Sequence, residues 1–463
     1  TGSWISGKAF SDYLTAKGHA HEYLNVYENQ IADVHPPLYY LFMHAVCSAF
    51  QNPPFTKWTG IGLNLFFFSL TQFGLLLLSA RLLSDGEKLE LTPPALLPGL
   101  LYGLSAGAAS GVVFIRMYAM MTMWAVWLAF ALVELFIHGQ TVWRMRALAA
   151  VLIAGFLTQY YFVILACMLC GVYFFARLAR REFETAGRFA LWCFFALALA
   201  VGLFPWCLNH IFGGYRGRGA IESAAGVRLN DMIRWFKILW QTLDAQQFGG
   251  FLLALVLIGA ALAFWPLKKA GQGLKRGAAF SLWALLACGA YVLVISVISP
   301  YKVDRYIFCV YPLVTAALFM LFARGGCRFG SRRSSACLLA CAVLAACGAR
   351  VNRDQQVHYL YPGDSAYVAA CEENAALPCV LLGTNDMTQN TLELAAFERV
   401  YMLNADDAQG VAPALEALDE KPDGFILFER YHDEANVETV LRETGLESAE
   451  LLFEHQYHVY WVH

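Results

Sequence analysis

The sequence predicts an α-helical polytopic membrane protein with a small α/β domain at its C-terminal end. Three observations predict it. Of 463 residues, 59% are hydrophobic and only 15% charged, against about a quarter charged in a soluble domain. Ten apolar windows follow one another between residues 57 and 349, and a spanning helix needs about 20 mostly apolar residues. Residues 351–463 then change character, with short apolar runs alternating with amphipathic stretches.

The elements read in order as follows. Residues 1–56 form a polar first external loop that ends in an apolar helix at 36–50. That helix is too short to cross and is expected to lie in the interface. The spans are expected at 57–80, 93–113, 117–137, 146–160, 161–178, 188–208, 249–267, 278–298, 305–323 and 335–349, with 146–160 and 335–349 short. The transmembrane bundle thus occupies 57–350 and an extracytoplasmic α/β domain 351–463. In that domain Cys379–Leu382, Gly424–Phe428 and Tyr457–Val462 read as strands, and Asp364–Glu373 and Val411–Leu418 as helices. No internal repeat interrupts this order.

Alternate connections carry the positive charge: Arg81 and Lys88; Arg144 and Arg146; Arg177, Arg180, Arg181 and Arg188; Lys268, Lys269, Lys275 and Arg276; Arg324, Arg328, Arg332 and Arg333. The positive-inside rule places these loops in the cytoplasm. The N-terminal segment, the turn at Arg116, the turn at 159–161, the 209–248 loop, the 299–305 loop and the C-terminal domain then share the outer face. The net charge of −2 offers nothing to a nucleic acid, whose binding rests on phosphate neutralisation. Of 13 cysteines, eleven lie in or beside apolar segments and act as small buried hydrophobes. Cys371 and Cys379 could pair as a disulfide if their domain is extracytoplasmic.

Ionisable side chains facing lipid are expensive, so those clustered at span ends on one side are candidates for a site. Asp33-Val34-His35-Pro36-Pro37-Leu38-Tyr39-Tyr40 joins a carboxylate and an imidazole to a rigid step, because Pro37 fixes its own φ and biases Pro36 to an extended backbone. Asp33 and His35 suit proton transfer from an acceptor hydroxyl; the structural alternative is that Asp33 caps the following helix. Arg116-Met117-Tyr118 lies in a tight turn between two spans, where the arginine serves as an anion clamp or simply snorkels. Thr158-Gln159-Tyr160-Tyr161 occupies another outer turn, as part of a site or of an interfacial aromatic belt. Pro300-Tyr301-Lys302-Val303-Asp304-Arg305-Tyr306 opens a later span with three charges. Lys302 and Arg305 suit a phosphate leaving group, and Asp304 is expected to hold Arg305 in place, unless the cluster only pairs with itself. The loop 209–248 adds Tyr215, Arg216, Arg218, Glu222, Arg228, Asp231, Arg234, Trp235 and Lys237. Its glycine-rich start at 213–219 suggests a mobile flap that orders on substrate binding, with a merely solvated loop the equal alternative.

The string Asp33-x-His35-Pro36-Pro37-Leu38 resembles the Asp-x-His-Pro-Pro-Leu signature of the polyprenyl-phosphate-sugar glycosyltransferases, relatives of which are the protein O-mannosyltransferases and the lipid A aminoarabinose transferases. Arg116-x-Tyr118 is similar to that family's Arg-x-Tyr turn, and Arg305-Tyr306 to its Arg-Tyr before the penultimate helices. Thr158-Gln159-Tyr160-Tyr161 departs from the family's Thr-His-Tyr-Tyr, which puts acid-base chemistry at Gln159 in doubt. The likeness covers residues 1 to about 350 and implies the C-type glycosyltransferase fold. In that fold a first span precedes an acidic base. The chain as given lacks this span and has no Asp-Glu pair before residue 50. The expectation is that native sequence precedes Thr1, supplying a span and the usual base. Otherwise Asp33 takes that role, with Asp12, Glu22 and Glu28 behind it.

The resemblance implies an inverting single displacement from a polyprenyl-phosphate-linked sugar to a lipid, glycan or protein acceptor. Asp33 and His35 are then the catalytic pair. Tyr39, Tyr40, Arg116, Tyr118, Gln159, Tyr160, Tyr161, Lys302, Asp304, Arg305 and Tyr306 are then the substrate-binding set. No cofactor and no metal is implied, nor any partner beyond membrane lipid, donor and acceptor. The polyprenyl donor implies a multi-pass protein of a bacterial-type inner membrane or an ER membrane with its site outward; the compact size and the absence of N-glycan-heavy loops favour the bacterial cytoplasmic membrane. Two rivals remain: a transporter, which would show broken helices at the membrane midplane and inverted repeats, neither of which is read here, and a non-catalytic scaffold presenting the C-terminal domain.

Overall fold

The structure, a computed structural model, describes residues 2–50, 56–226, 228–264, 271–327, 333–353, 356–361, 363–383, 390–420, 422–431 and 433–463. Lys268, Lys269, Arg328 and Arg332, read as cytoplasmic charges, lie outside these residues. Contacts group the chain into two units. Residues Glu22–Val46 and Lys57–Leu360 make a helical bundle; Thr1–His21, Cys47–Thr56 and Tyr361–His463 make a second unit.

Each of the ten predicted windows falls on helix. Among the described residues, seven helices are long and apolar enough to cross a membrane: Trp58–Leu83, Tyr118–His138, Tyr161–Ala179, Phe183–Leu203, Gln272–Ile298, Phe308–Gly326 and Ser334–Val351. Val142–Thr158, at 17 residues, is slightly shorter. Phe308–Gly326 is the central rod, 94% of it enclosed by the rest of the protein, whereas Phe183–Leu203 is 22% enclosed and presents most of its surface outward. Small residues let neighbours close on the rod: a Cβ at Gly325 would stand 2.6 Å from Leu262 Cβ. Ser281 Oγ donates across to Ala317 O at 2.7 Å, and Arg81 pairs with Glu134 between two spans.

The span predicted at 93–113 is broken, which corrects the expectation of a continuous helix, and the span predicted at 249–267 meets at an angle a helix from the segment read as the 209–248 loop. Pro93–Gly103 meets Ala106–Val113 at 66°, and Leu229–Gln247 meets Leu252–Phe264 at 80°. The first break is where Ser105 caps a new helix, its Oγ accepting from Ala108 N at 3.1 Å. The second is a Gly249-Gly250 turn with φ of +63° and +93°, a conformation that favours glycine. Asp244 Oδ1 closes it by accepting from the N–H groups of Gly250 and Leu252 at 3.0 and 2.9 Å.

The 209–248 segment is likewise helical rather than an open flap. A π-helical turn Asn209–Gly213 leads into Tyr215–Ala225 and then Leu229–Gln247. In the latter helix Ile233, Phe236, Trp240 and Leu243 recur at helical spacing. The Pro-Pro step opens Leu38–Ala49, the predicted short apolar helix.

The second unit is an α/β structure. Strands β1 (Cys379–Leu382), β2 (Val400–Leu403), β3 (Phe425–Glu429), β4 (Ala449–Glu454) and β5 (His458–Val462) form one sheet in the order β2-β1-β3-β5-β4. β1 runs parallel to β2 and β3, and β5 antiparallel to β3 and β4. β1 and β3 are buried throughout, as parallel strands covered on both faces are. Alternate residues feed two cores: Leu381, Ile426 and Phe428 on one face with Phe10, and Val380, Phe425 and Leu427 on the other with Val411 and Val440. The N-terminal segment adds to this sheet, Ile5 and Val400 exchanging both backbone hydrogen bonds at 2.8 Å. Cys371 and Cys379 are free thiols, so the disulfide read as an option from their placement does not form.

Candidate active site

Four of the predicted clusters meet at one end of the bundle, organised by the Phe114–Tyr118 turn. Asn64, fully buried on Trp58–Leu83, shapes that turn: its Nδ2 donates to Val112 O at 3.0 Å and Phe114 O at 2.8 Å. Its Oδ1 accepts from the Tyr39 hydroxyl at 3.2 Å. Tyr39, 1% exposed, therefore fastens the Pro-Pro helix to the bundle, and its hydroxyl is committed. Tyr40, the next residue, accepts from Arg116 Nη1 at 3.3 Å. Burial pushes the Tyr40 hydroxyl up from its ordinary pKa against the opposing charge of Arg116, so it remains a neutral partner.

Asp33 ends the helix Tyr23–Ala32 as its C-cap residue rather than capping the helix that follows. Its Oδ2 lies 3.1 Å from His35 Nδ1. Oriented to satisfy its neighbours, the buried Gln30 amide donates to the same carboxylate at 3.2 Å and to His35 O at 3.1 Å. Burial would raise the Asp33 pKa. The hydrogen bond and charge of His35, the Val34 amide and the charge of Arg116 outweigh it and hold the carboxyl below its ordinary value. Asp33 is thus ionised and faces the Arg116 side of the turn.

On the other side of the turn lies the 302–306 cluster, built from two 3₁₀ turns, Asp304–Tyr306 and Phe308–Val310, ahead of Tyr311–Gly326. The Arg305 guanidinium lies 5.4 Å from the Phe114 ring and 5.5 Å from the Tyr306 ring, cation–π positions. Tyr306 packs edge-on to Tyr161 at 5.0 Å and lies 6.0 Å from Tyr118. Arg116 belongs to the Phe114–Tyr118 turn and bonds Tyr40, and Arg305 lies by the ring of Phe114 in the same turn, so the turn gathers both cations. Among the described residues neither has a carboxylate partner. Lys302 donates to Ser299 O and lies 5.6 Å above the Trp235 ring. Its burial lowers the ammonium pKa from the ordinary lysine value.

Asp304 does not hold Arg305 as an ion pair. It is 5% exposed and serves a different network. Its Oδ2 accepts from Gln246 Nε2 at 2.9 Å and lies 2.7 Å from His358 Nδ1. Its Oδ1 accepts from the Tyr359 hydroxyl and from the Arg305 backbone N–H. Only the backbone of Arg305 is fixed by Asp304, so the guanidinium keeps its charge for another anion. Burial, followed by the hydrogen bond and charge of Asp304, raises the Tyr359 pKa and keeps that phenol a donor.

The third predicted turn divides. Tyr161 reaches the arginine cluster through Tyr306. Tyr160 turns instead to His210, its hydroxyl 2.8 Å from Nδ1, while His210 Nε2 is 3.0 Å from Ile31 O. His210 thereby braces the helix that ends at Asp33. Gln159 is 5% exposed and ends Val142–Thr158, away from these charge contacts.

Sequence reasoning missed Asn64, His210, Gln246, His358 and Tyr359. Asn64 is a polar residue within an apolar helical stretch, a signal of cost that demands a partner, whereas Gln246 lies in a polar helix end and gives no such signal. The other three have no local signature.

No family model matches the chain, and no curated protein matches it. Among solved structures it is similar to ArnT from Cupriavidus metallidurans bound to undecaprenyl phosphate, at 12% identity over 92% of this chain and 87% of that one, with a TM-score of 0.51. The apo state of ArnT gives 11% identity, 95% and 92% coverage and the same TM-score. The arabinofuranosyltransferase AftD from Mycobacteria gives 14% identity over 98% of this chain but 41% of its own length, with a TM-score of 0.48. The chain therefore has the C-type glycosyltransferase fold: a polytopic helical bundle with a small C-terminal sheet. The fold of ArnT, with this end of its bundle bearing the charged turns, is the class to which the architecture assigns it.

Proposed function

We propose that the protein is an integral membrane glycosyltransferase that moves a sugar from a polyprenyl-phosphate donor to an acceptor hydroxyl at the outer face. The observation that carries this reading is the pair Arg116 and Arg305, two guanidinium groups without carboxylate partners among the described residues, gathered at the Phe114–Tyr118 turn at one end of a bundle with the ArnT fold. ArnT binds undecaprenyl phosphate, and a phosphate monoester of that kind needs fixed positive charge where its own charge grows as the sugar leaves. Arg116 and Arg305 supply that charge as planar forks suited to phosphate oxygens, with Lys302 beside them.

An apolar cavity of about 280 Å³ supports the lipid part of the reading. It is lined by Leu243, Leu252, Val256, Val292, Val310 and Val314 among others. Leu243 lies one helical turn from Gln246, so the cavity starts beside the Asp304 network and suits part of an isoprenoid tail. The sugar is a hexose or pentose and leaves with inversion. Asp33, ionised and bonded to His35, lies on the Arg116 side of the turn.

The test uses purified full-length protein in detergent with a panel of polyprenyl-phosphate hexoses and pentoses, following release of polyprenyl phosphate. Wild type is expected to release it, Arg305→Ala to lose the activity by about 100-fold or more, and EDTA to leave release unchanged. No release from any donor would overturn the reading.

The two broken helices favour one second reading, a transporter, because such breaks line sites in transporters. A transporter would bind polyprenyl phosphate or a sugar without cleaving the bond between them.

A further inference from the structure

Five residues after the last bundle helix, the chain returns to the site. His358 N donates to Ser110 Oγ at 2.9 Å, and the Tyr359 ring stacks on Phe114 at 4.2 Å and 25°. Tyr359 has φ of +66°, a left-handed conformation that costs a bulky residue free energy and persists only when its surroundings enforce it. The hydrogen bond to Asp304 and the stack on Phe114 do so. The strap is thus held in a strained form that puts His358 against Asp304.

We infer that His358 takes the proton from the acceptor hydroxyl, with Asp304 as the residue that positions it. The inference rests on the glycosyl-transfer reading above and deepens it. The hydrogen-bond pattern sets the tautomer. The Tyr311 hydroxyl donates to Gln246 Oε1 at 2.7 Å, so Gln246 Nε2 is the end that faces Asp304 Oδ2 and donates to it. The Tyr359 hydroxyl and the Arg305 N–H donate to Oδ1. Asp304 is therefore the acceptor in every contact, and His358 Nδ1, 2.7 Å from Oδ2, must carry the proton between them. Gln246 Nε2 also lies 2.9 Å from His358 Nδ1, but a lone pair on Nδ1 would face the carboxylate charge at 2.7 Å, so the Gln246 amide donates to Oδ2 and the proton sits on Nδ1. The neutral imidazole then keeps its lone pair at Nε2, for which no described residue gives a partner. The His358 side chain is 46% exposed and the Asp304 side chain 4%. The orienting carboxylate is buried and the ring opens outward, the arrangement of an aspartate-held histidine base.

The step balances. The acceptor O–H gives its proton to His358 Nε2. Its oxygen bonds to the anomeric carbon, and the bond from that carbon to the phosphate oxygen breaks, its electron pair leaving with the phosphate. Asp304 stabilises the imidazolium. Arg305, whose guanidinium lies over the Phe114 ring on which Tyr359 stacks, meets the departing charge. Asp33 is the weaker base of the two, because its partners hold its pKa below the ordinary carboxylate value while an effective base works near the operating pH. Among the described residues the titratable groups beside His358 are Asp304 from the 3₁₀ turn and Tyr359 from the strap, with Tyr311 of the central rod one step away through Gln246.

The experiment compares wild type, His358→Gln, Asp304→Asn and Asp33→Asn as full-length proteins. The donors are polyprenyl-phosphate sugars, the acceptor is glycerol, and release is followed between pH 5 and 9. Polyprenyl phosphate binding, read from tryptophan fluorescence, reports the fold. His358→Gln is expected to bind polyprenyl phosphate within about twofold of wild type and to lose about 100-fold or more in kcat. It should also lose the acid limb of the pH profile, with imidazole restoring turnover to His358→Ala. Asp304→Asn, which no longer orients the ring, is expected to lower kcat by about 100-fold while binding polyprenyl phosphate within about twofold of wild type. Wild-type release with His358→Gln unimpaired, or with Asp33→Asn alone abolishing turnover, would overturn the inference and leave the transferase reading standing. No wild-type release would overturn both.

Discussion

Asp304 in the bundle and Glu429 in the C-terminal unit are both carboxylates that solvent scarcely reaches, 5% and 0% exposed, and they are satisfied in opposite ways. Glu429 ends β3 and accepts from the Tyr431 and Asp433 N–H groups at 3.1 and 3.0 Å and from Asn436 Nδ2 at 3.0 Å. All its donors lie within seven residues. Asp304 draws on Gln246, His358 and Tyr359, 54 to 58 residues away in sequence. A local ring of donors closes a turn and finishes a strand. Donors gathered from a broken helix, a 3₁₀ turn and a returning strap serve no single element, and they leave a half-exposed histidine at the rim. Both patterns satisfy the charge that burial would otherwise penalise, so burial alone does not separate a structural carboxylate from one at a site. The reach of the network does.

The comparison breaks first on activity. Asp304→Asn is expected to lower kcat for polyprenyl phosphate release by about 100-fold with the thermal midpoint moved by only a few degrees. Glu429→Gln should leave kcat within about twofold, because its contacts all belong to one turn. Equal losses in the two variants would show that buried carboxylates here act on activity only through folding.

The second effect is on stability and runs the other way. Glu429→Gln turns an acceptor into a donor facing two N–H groups, and an unmet buried partner costs about 1–3 kcal/mol. Amide hydrogen exchange at 431–436 is expected to speed accordingly, while exchange in Tyr311–Gly326 stays as in wild type. Glu393 in the same unit adds a pH test. Burial raises its pKa, with His455 opposing. A carboxyl whose folded pKa exceeds its unfolded value costs stability above that folded pKa and regains it as pH falls through it. Protection of that unit should therefore increase on acidification through the range just above the ordinary glutamate pKa, and Glu393→Gln should remove the increase.

The same contrast explains what the sequence made legible. The spans, the Pro-Pro helix, the three charged turns and the strands β1, β3 and β5 are all written in local periodicity or local charge. Tyr40, Arg116, Tyr118, Tyr161, Arg305 and Tyr306 could be collected because each lies at the end of a readable helix. The partner of Asp304 was misjudged because Arg305 is adjacent in sequence while His358 and Gln246 are adjacent only in space. The break at Ser105 is not legible because one residue interrupts hydropathy too briefly to lower a 20-residue window, and Leu229–Gln247 reads as loop because its charges mask its helical period. His358 and Tyr359 carry no pattern at all: two polar residues after a helix gain meaning only once the chain has folded back onto Ser110 and Phe114.

A third, smaller effect concerns the charge at Lys302. Its positive charge is present below its pKa and lost as pH rises through it, and burial has lowered that pKa. The alkaline decline of activity is expected to begin below the ordinary lysine value of about 10.4. Lys302→Arg, whose guanidinium stays charged, should carry the decline to higher pH and change the rate at pH 7.5 by no more than about threefold. An unmoved alkaline limb would remove Lys302 from the phosphate contacts and leave Arg116 and Arg305 to neutralise the leaving group alone.

The smallest effect is expected at Gln159. The glycosyltransferases that the turn resembles carry histidine there, which invites an acid-base role. Here the residue is 5% exposed, its N–H donates to Gly155 O at 3.1 Å and its carbonyl accepts from Phe162 N at 3.0 Å. Its contribution is the backbone geometry that sends Tyr160 to His210 and Tyr161 to Tyr306. Gln159→His preserves that backbone and is expected to alter release by less than about threefold at any pH from 6 to 8. Tyr161→Phe, which keeps the ring against Tyr306, should behave alike, while Tyr161→Ala removes the packing beside Arg305 and should cost more. A pH-dependent gain in Gln159→His would mean that this turn faces the reacting atoms after all, and the aspartate-held histidine at 358 would then share the proton transfer with a second imidazole across the site.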